Sequence, residues 1–393
     1  MFISEQNLFF GNTAGVVRMN NYAKALLLNN NVTIVKIPYY SYCFEDNLLH
    51  VADRYFVFKQ IENIVRKKNI SLLQEALFFL DNVEKFLQTL YGSIVIYYYP
   101  GSGSILDFIL VFYLKCRFKR RVFLEVNEVP KYSSAPVVTK LGGLKRALFS
   151  RLFEQTFYFY DGIVCISENI FDYYSNRNKN RVIIPILISI PNCSSNFLVN
   201  RSQFSENESV IFLFAGSVAF EKENLEELII GFSKLHEEID RVELHLYGSI
   251  TKDTQDKIIS LTRSLGISNK VKYCGIYSNH SVLDVLNRGH ALVLPRNNSK
   301  QNFYGFSTKL AEYCISSVPV IMTNTGVISS YFEGDFNCLM LDGYNSHSFY
   351  LNFKKFLNMT SNERSIIACN AFRTAEKYFD YRIYRTLLYD FLT

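Results

Sequence analysis

Residues 304–321 read YGFSTKLAEYCISSVPVI. A glycine precedes an aromatic residue and two hydroxyl residues, then a short mixed helix carries one carboxylate, Glu312. A β-branched run opened by Val-Pro-Val follows. Upstream, the same order recurs. VIFLFAGSV, VELHLYGSI, VKYCGIY and ALVLPR read as strands. NLEELIIGFSKLHEE, residues 253–265 and SVLDVLNRG read as the helices between them. Strands alternating with helices of this length predict a parallel sheet covered on both faces.

The first half shows the same alternation. Gly11 and Gly15 bracket a turn, a helix is expected from about Val16 to Leu28, and VTIVKIP is a strand. SIVIYYYPGSG is a strand ending in a Pro-Gly loop, and ILDFILVFYLKCRFKRR is a helix whose basic end suits the helix dipole. RVFLEVNEVP is a strand ending in Glu125, Asn127 and Glu128. A basic-aromatic helix follows from about Leu144 to Tyr160, then the strand DGIVCIS with Ser167 placed to cap the next helix. The polar stretch 191–209 has little periodicity and reads as a linker.

The expected fold class is therefore α/β, with two doubly wound Rossmann-like domains facing a cleft. Residues 1–195 form the first domain, 196–209 the linker and 210–375 the second domain. Residues 376–393 form a C-terminal helix packing back on the first. A chain of 393 residues suits two cores.

Composition narrows the function. Nearly half of the residues are apolar, which argues against wholesale disorder. None of the eight cysteines falls in a CxxC pair and most lie in apolar runs, so buried free thiols in a reducing cytosol are expected. The six histidines form no HxxxH or HExxH pattern, and no metal site is expected. The N-terminus does not read as a signal peptide, and the run 105–114 contains Asp107 and is too short to span a bilayer. A cytoplasmic protein is expected, soluble or peripheral on the inner face of the cell membrane.

The net charge of +6 is uneven. Much of the positive excess lies in 115–151, with Lys115, Arg117, Lys119, Arg120, Arg121, Lys131, Lys140, Lys145, Arg146 and Arg151 against Glu125 and Glu128. Such a field attracts an anionic membrane surface, phosphorylated substrates or a nucleic acid, and no nucleic-acid module is present. A solvated helix face over core aromatics explains the same composition.

In open α/β sheets, ligands bind where strand ends lead into helix starts. That selects the loops 11–15, 100–104, 125–132, 216–224, 248–251, 275–280 and 296–308. GNTAGVVR is not GxGxxG and there is no Walker A motif, so hydride chemistry has no support. Residue chemistry alone leaves Lys222 and Lys309 open as solvated surface charges, Glu312 as an exposed helix acid, and Gly216 and Gly305 as ordinary turn glycines.

Three segments together resemble the retaining nucleotide-sugar glycosyltransferases of family 4, which have the GT-B fold. AGSVAFEKENLEELIIGF looks like the family's Gly-Arg…Lys-Gly stretch before an apolar helix. VKYCGIYSNHSVLDVLNRGHALVLPR is similar to its strand, Gly, short helix, strand and Pro. YGFSTKLAEYCISSVPVI stands where the family has a Glu, seven residues, a second Glu and a Pro-Val-Ile strand. DGIVCIS and GNTAGVVR match features of the first domain, and the resemblance spans roughly residues 8–345.

The resemblance implies transfer of a sugar, with retention, from a UDP- or GDP-linked donor to a glycan or lipid-linked glycan acceptor. Surface polysaccharide synthesis is the setting implied. The donor is a substrate, and no cofactor is implied. Glu312, Lys222, Asn127 and Glu128 are the implied catalytic residues. Gly11, Gly15, Gly216, Ser217, Lys222, Gly248, Tyr277, Tyr304, Gly305, Phe306, Ser307, Thr308, Lys309 and Glu312 are the implied donor-binding residues. Lys222 and Lys309 would meet the diphosphate and Glu312 the ribose.

Three positions depart from the family. Ser217 stands in place of its Arg, Tyr304 in place of its first Glu, and Asn127 in place of a His found in many members. Lys309 is expected to replace the missing Arg charge, and Tyr304 or Asn302 to bond a sugar hydroxyl. Two rivals share the fold: a non-catalytic subunit that binds a sugar or a partner enzyme, and a nucleotide-sugar epimerase.

Overall fold

The structure is a computed structural model. It describes residues 114–132, 148, 150–190, 208–277 and 282–393, together with the backbone of segments 2–4, 14–26, 33–36, 44–51, 54–61, 94–98 and 111–112. Side chains in these segments are described at 17–26 and 111–112. The expected linker falls largely outside the described residues, as do Gly11 and Cys43. The chain divides into two compact units. One comprises 1–185 with 384–393, the other 186–383.

The first unit is built on an eight-stranded sheet. Its strands are β1 (Phe2–Ser4), β2 (Thr33–Lys36), β3 (Phe44–Val51), β4 (Arg54–Ile61), β5 (Ile94–Tyr98), β6 (Arg121–Val126), β7 (Gly162–Cys165) and β8 (Arg181–Ile183). They lie in the order β3-β4-β2-β1-β5-β6-β7-β8. All neighbours pair in parallel except β3 and β4, an antiparallel hairpin at one edge that the sequence reading did not anticipate. Helix α1 (Ala14–Leu26) begins before Gly15. Gly15 therefore lies in the first helical turn rather than bracketing a loop, because Gly tolerates helical backbone at modest cost. Val122, Phe123, Leu124 and Val126 of β6 are fully buried, as a central parallel strand requires.

A buried ion pair ties this unit together. The Arg18 guanidinium on α1 donates to the Glu125 carboxylate on β6 and to Pro185 O. Arg18 also donates to Tyr22 Oη at 2.7 Å and to Ile184 O at 2.6 Å. Both charges are shielded from solvent. Burial pushes the Glu125 carboxyl above its ordinary value, and the guanidinium opposes that shift. Glu125, one of the acids at the end of the RVFLEVNEVP strand, is thus a structural anchor.

After helix α2 (Glu168–Tyr173), capped by Ser167 Oγ, the chain passes into the second unit. There β9 (Val210–Ala215), β10 (Val242–Tyr247), β11 (Val271–Tyr273), β12 (Ala291–Leu294), β13 (Val320–Thr323) and β14 (Leu339–Leu341) form an all-parallel sheet. The order is β11-β10-β9-β12-β13-β14. The helices are α3 (Leu225–Glu238), α4 (Lys252–Ser264), α5 (Val282–Leu286), α6 (Lys300–Tyr304), α7 (Thr308–Ile315), α8 (Ser346–Asn358) and α9 (Ser361–Tyr378).

Alternate residues of β9 enter two separate cores. Phe212 and Phe214 pack with Leu228, Phe232, Phe353 and Phe356 of α3 and α8. Leu213 and Ala215 pack with Leu310, Tyr313 and Cys314 of α7 and with Ala371 and Ala375 of α9. Both faces of the strand are covered, which explains why VIFLFA is apolar throughout. A capping box between Thr360 and Glu363 fixes the start of α9. Helix α10 (Arg385–Leu392) closes the chain and returns to the first unit, where the Phe391 ring lies 5.4 Å from that of Phe123.

Among the described cysteines, Cys165, Cys314 and Cys338 are buried as expected. Cys116 and Cys274 are exposed: Cys116 ends a helical segment, and Cys274 follows β11, whose last two residues are themselves exposed.

Removing one partner of a buried ion pair leaves the other charge unpaired in the core. Arg18→Ala should destabilise the first unit by about 3–5 kcal/mol. Chemical denaturation followed by intrinsic fluorescence checks this, and a loss below about 1 kcal/mol would contradict the anchoring role.

Candidate functional site

In the second unit the strand order reverses between β9 and β12. Helices leaving these neighbouring strands diverge to opposite faces and open a crevice at the strand ends. The loop after β9 carries Gly216, Ser217, Lys222 and Glu223. The loop after β12 carries Arg296, and α6 and α7 follow it.

Three glycines let the strand ends approach. Gly216 N donates to Tyr247 O at 2.9 Å, and Gly248 N donates to Gly275 O at 2.8 Å. A Cβ at Gly248 would fall 1.8 Å from Gly216 O, and its φ of +126° is one that side chains rarely adopt. Gly248 is therefore a packing glycine beneath the site. A Cβ at Gly216 would fall 2.0 Å from Lys309 Cε, so the Lys309 side chain lies directly across this turn.

The loops at the switch point are laced together. The buried Asn302 amide donates to Lys222 O at 2.8 Å and to Asn297 O at 3.0 Å, and accepts from Arg296 Nη1 at 3.2 Å. Asn297 Nδ2 donates to Glu221 O at 2.8 Å. Asn302 was expected as a partner for a sugar hydroxyl. Its amide instead braces these loops, because a buried amide must be satisfied internally.

Lys309 occupies the second position of α7, and its ammonium donates to Glu223 Oε1 at 2.7 Å. The same ammonium lies 4.4 Å from the centroid of the Phe214 ring. Glu223 is 2% exposed and also faces Arg296 Nη1 at 3.4 Å. Arg296 Nη2 donates to Ser307 Oγ at 2.8 Å, which steadies the residue preceding α7. Burial pulls the Lys309 amine down to about 8, with Glu223 opposing and Arg296 and Lys222 reinforcing the shift.

Glu312 lies one turn further along α7, half-buried. Burial raises its carboxyl to about 7, and Lys309 partly offsets this. Tyr277, half-buried in the loop after β11, is pushed up to about 12 by burial and by the nearby Glu312. Tyr313 Oη accepts from Ala215 N at 2.8 Å and donates to Ala215 O at 3.0 Å. That pair of bonds docks the helix bearing Glu312 against the end of β9.

The remaining sequence candidates fall as follows. Ser217 is exposed beside the Gly216 turn. Tyr304 is the last residue of α6, a short helix where the sequence suggested a loop, and Gly305 caps it. Phe306 stacks on Tyr331 at 5.3 Å and meets Phe379 edge-on, so its ring belongs to the core. Thr308 begins α7, where the first backbone N–H groups lack helical acceptors. Asn127 and Glu128 follow β6 in the first unit, both half-buried. Glu223, Arg296 and Tyr313 were missed. The sequence offered little signal for them, since an acid before a helix, an Arg after Pro and a helical Tyr are all commonplace.

Residues 198–373 match the family model described as glycosyl transferases group 1. That stretch falls within the second unit and is similar to the family's domain. No curated protein matches the chain by sequence. Solved structures do match its fold. Sucrose-phosphate synthase from Thermosynechococcus elongatus superposes with a TM-score of 0.70 at 13% identity, covering 99% of this chain and 98% of that one. HepE from Anabaena, in complex with UDP and glucose, gives 0.68 at 12%, covering 99% and 98%. The trehalose 6-phosphate synthase from Burkholderia multivorans gives 0.68 at 10%, covering 99% and 95%. The chain has the GT-B fold.

The raised carboxyl of Glu312 has a consequence for stability. Its folded value of about 7 exceeds the ordinary 4.5, so the native state holds an extra proton between those values. The fold loses stability as pH rises through that window. Glu312→Gln mimics the protonated form. It should match the wild type near pH 5 and exceed it at pH 8, by up to about 3 kcal/mol. Thermal melts at the two pH values check this, and a variant less stable than wild type at pH 8 would contradict it.

Proposed function

We propose that the chain is a retaining glycosyltransferase that moves a sugar from a nucleotide-sugar donor, UDP- or GDP-linked, to a hydroxyl of a glycan or lipid-linked glycan. One observation carries the reading: cations and an acid converge at the switch point of a domain similar to that of glycosyl transferases group 1. Lys222, Lys309 and the N-terminus of α7 gather beside the Gly216 turn, and Glu312 lies one helical turn beyond. A diphosphate needs fixed cations and backbone N–H donors, and a carboxylate one turn away suits vicinal ribose hydroxyls.

In the proposed reaction the bond between the anomeric carbon and the diphosphate oxygen breaks, and the diphosphate takes the electron pair. Lys222, Lys309 and the helix terminus stabilise the charge that develops there. The acceptor oxygen bonds to the same face of the anomeric carbon, and its proton passes to a departing phosphate oxygen. Tyr304 replaces the family's first Glu and offers the sugar one neutral hydrogen bond, because a phenol stays protonated near pH 7. Asn127 and Glu128 are proposed acceptor-side groups.

The test begins with a thermal-shift screen of UDP-, GDP- and ADP-sugars, followed by transfer assays with candidate acceptors. Binding with turnover supports the enzyme, and binding without turnover favours a non-catalytic subunit. Within an active enzyme, Glu312→Ala should reduce kcat/KM by on the order of 100-fold or more, because a lost ribose contact misplaces the reacting carbon. Tyr304→Phe should keep partial activity. The opposite order would overturn these roles.

We also propose an anionic membrane surface as the place of work. No helix among the described residues is long and apolar enough to cross a membrane. Leu148 and Leu152 stand one helical turn apart, 58% and 55% exposed, beside the exposed Arg151; Tyr158 and Phe159 are also exposed. Basic and apolar side chains on one surface suit a lipid interface. Lys140, Lys145 and Arg146, which complete the basic cluster, lie outside the described residues. The chain should sediment with anionic vesicles at low salt and lose that binding when Lys140, Lys145, Arg146 and Arg151 become Ser. Absence of low-salt binding would refute the membrane placement.

A further inference from the structure

We infer that Glu223 is a positioning residue of the donor site: its buried carboxylate holds Lys309 across the Gly216 turn and keeps that amine charged for the donor diphosphate. The inference rests on the donor-site reading above and adds to it a residue outside the phosphate-contacting set.

The geometry is specific. Glu223 Oε1 accepts from Lys309 Nζ at 2.7 Å and lies 3.4 Å from Arg296 Nη1, while Oε2 is buried and makes no hydrogen bond. A carboxylate 2% exposed with one oxygen unsatisfied is a poor choice for stability alone. Its effect on Lys309 explains its place. The Lys309 side chain is 14% exposed, stretched over Gly216 with its ammonium against the Phe214 ring. Burial of that kind favours the neutral amine. Arg296 and Lys222 repel its charge from the loops after β12 and β9. Glu312 attracts it from its own helix, and Tyr277, in the loop after β11, faces Glu312 as a neutral phenol. Glu223 is the carboxylate that meets the amine directly, by charge and by hydrogen bond.

The pairing also sets direction. Glu223 draws the amine across Gly216 toward the loop that carries Lys222, so both lysines bear on one place at the end of β9. Its contact with Arg296 completes the brace, since Arg296 bonds Ser307 immediately before α7. A ligand phosphate arriving there meets an amine already charged and already aimed, and only its remaining donor hydrogens need engage.

The experiment has two arms, each on the full chain as wild type, Glu223→Gln and Glu223→Asp, with circular dichroism and thermal melts to verify folding. In the first arm, brief acetic anhydride labelling across pH 6–10, read by mass spectrometry, titrates the Lys309 amine without any ligand. The wild-type amine should titrate near about 8. In Glu223→Gln it should titrate at least about one pH unit lower, and Glu223→Asp should restore most of the difference. In the second arm, calorimetry with UDP should show Glu223→Gln binding about tenfold more weakly at pH 8, with the deficit shrinking as pH falls toward 6.5 and the amine regains its proton.

An unchanged Lys309 titration in Glu223→Gln overturns the inference. So does a loss of UDP affinity that is equal at every pH, which is what a merely structural role would give. Failure of the wild type to bind UDP, GDP or ADP overturns the donor-site reading and the diphosphate part of the inference. The labelling arm decides the charge-holding part independently of that result.

Discussion

The reversal of strand order between β9 and β12 is the constraint from which the rest of the second unit follows. Parallel strands need crossover helices, and at the reversal those helices leave in opposite directions. The opening lies at the ends of two strands buried on both faces, so its floor is rigid. Gly216 and Gly248 bring neighbouring strand ends close, the Asn302 amide joins the loops above, and Tyr313 docks α7 onto β9. Each of these contacts positions backbone, and the chemically useful side chains stand on the result.

The site is electrostatically costly by construction. An amine and a carboxyl sit in surroundings that disfavour their charged forms, and Lys309 and Glu312 are shifted toward neutrality from opposite sides. A fold optimised for stability alone would hold apolar groups there. Charges held in a poorly solvated crevice interact strongly with an incoming anion, and in the proposed donor site that interaction offsets the cost. The first unit also buries a charge pair, Arg18 with Glu125. Its contacts run to Tyr22 and to backbone carbonyls, as befits an anchor.

Much of this was legible in the sequence. Apolar runs such as VIFLFA and ALVLP announced buried parallel strands, and the helix pattern of LEELIIGFSKLHEE stopped within a residue of the observed end. Glu312, Lys309 and Gly216 stood out because a family resemblance picked out their segments. Three kinds of feature did not show. The β3–β4 hairpin lacks a strong turn signal, so local pattern did not separate it from the surrounding alternation. Helix α6 is one turn long and depends on the Asn302 brace, a tertiary contact. Glu223 reads as one more acid in EKENLEE, and its partner Lys309 lies 86 positions away. Only the folded loops make it an internal counterion. Phe306 erred in the other direction: its place in the motif suggested ligand contact, and packing claimed its ring.

The central claim is that Lys309 and Glu312 flank a diphosphate and a ribose in one donor site. Binding would then need a protonated amine titrating near about 8 and an ionised carboxyl titrating near about 7. The most direct measurement is the affinity of the wild-type chain for its preferred nucleoside diphosphate, taken by calorimetry from pH 5.5 to 9.5. The account predicts a maximum between pH 7 and 8, with affinity falling toward about tenfold per pH unit well outside it on both sides. An affinity that is flat across the range, or that keeps rising toward either extreme, would contradict it.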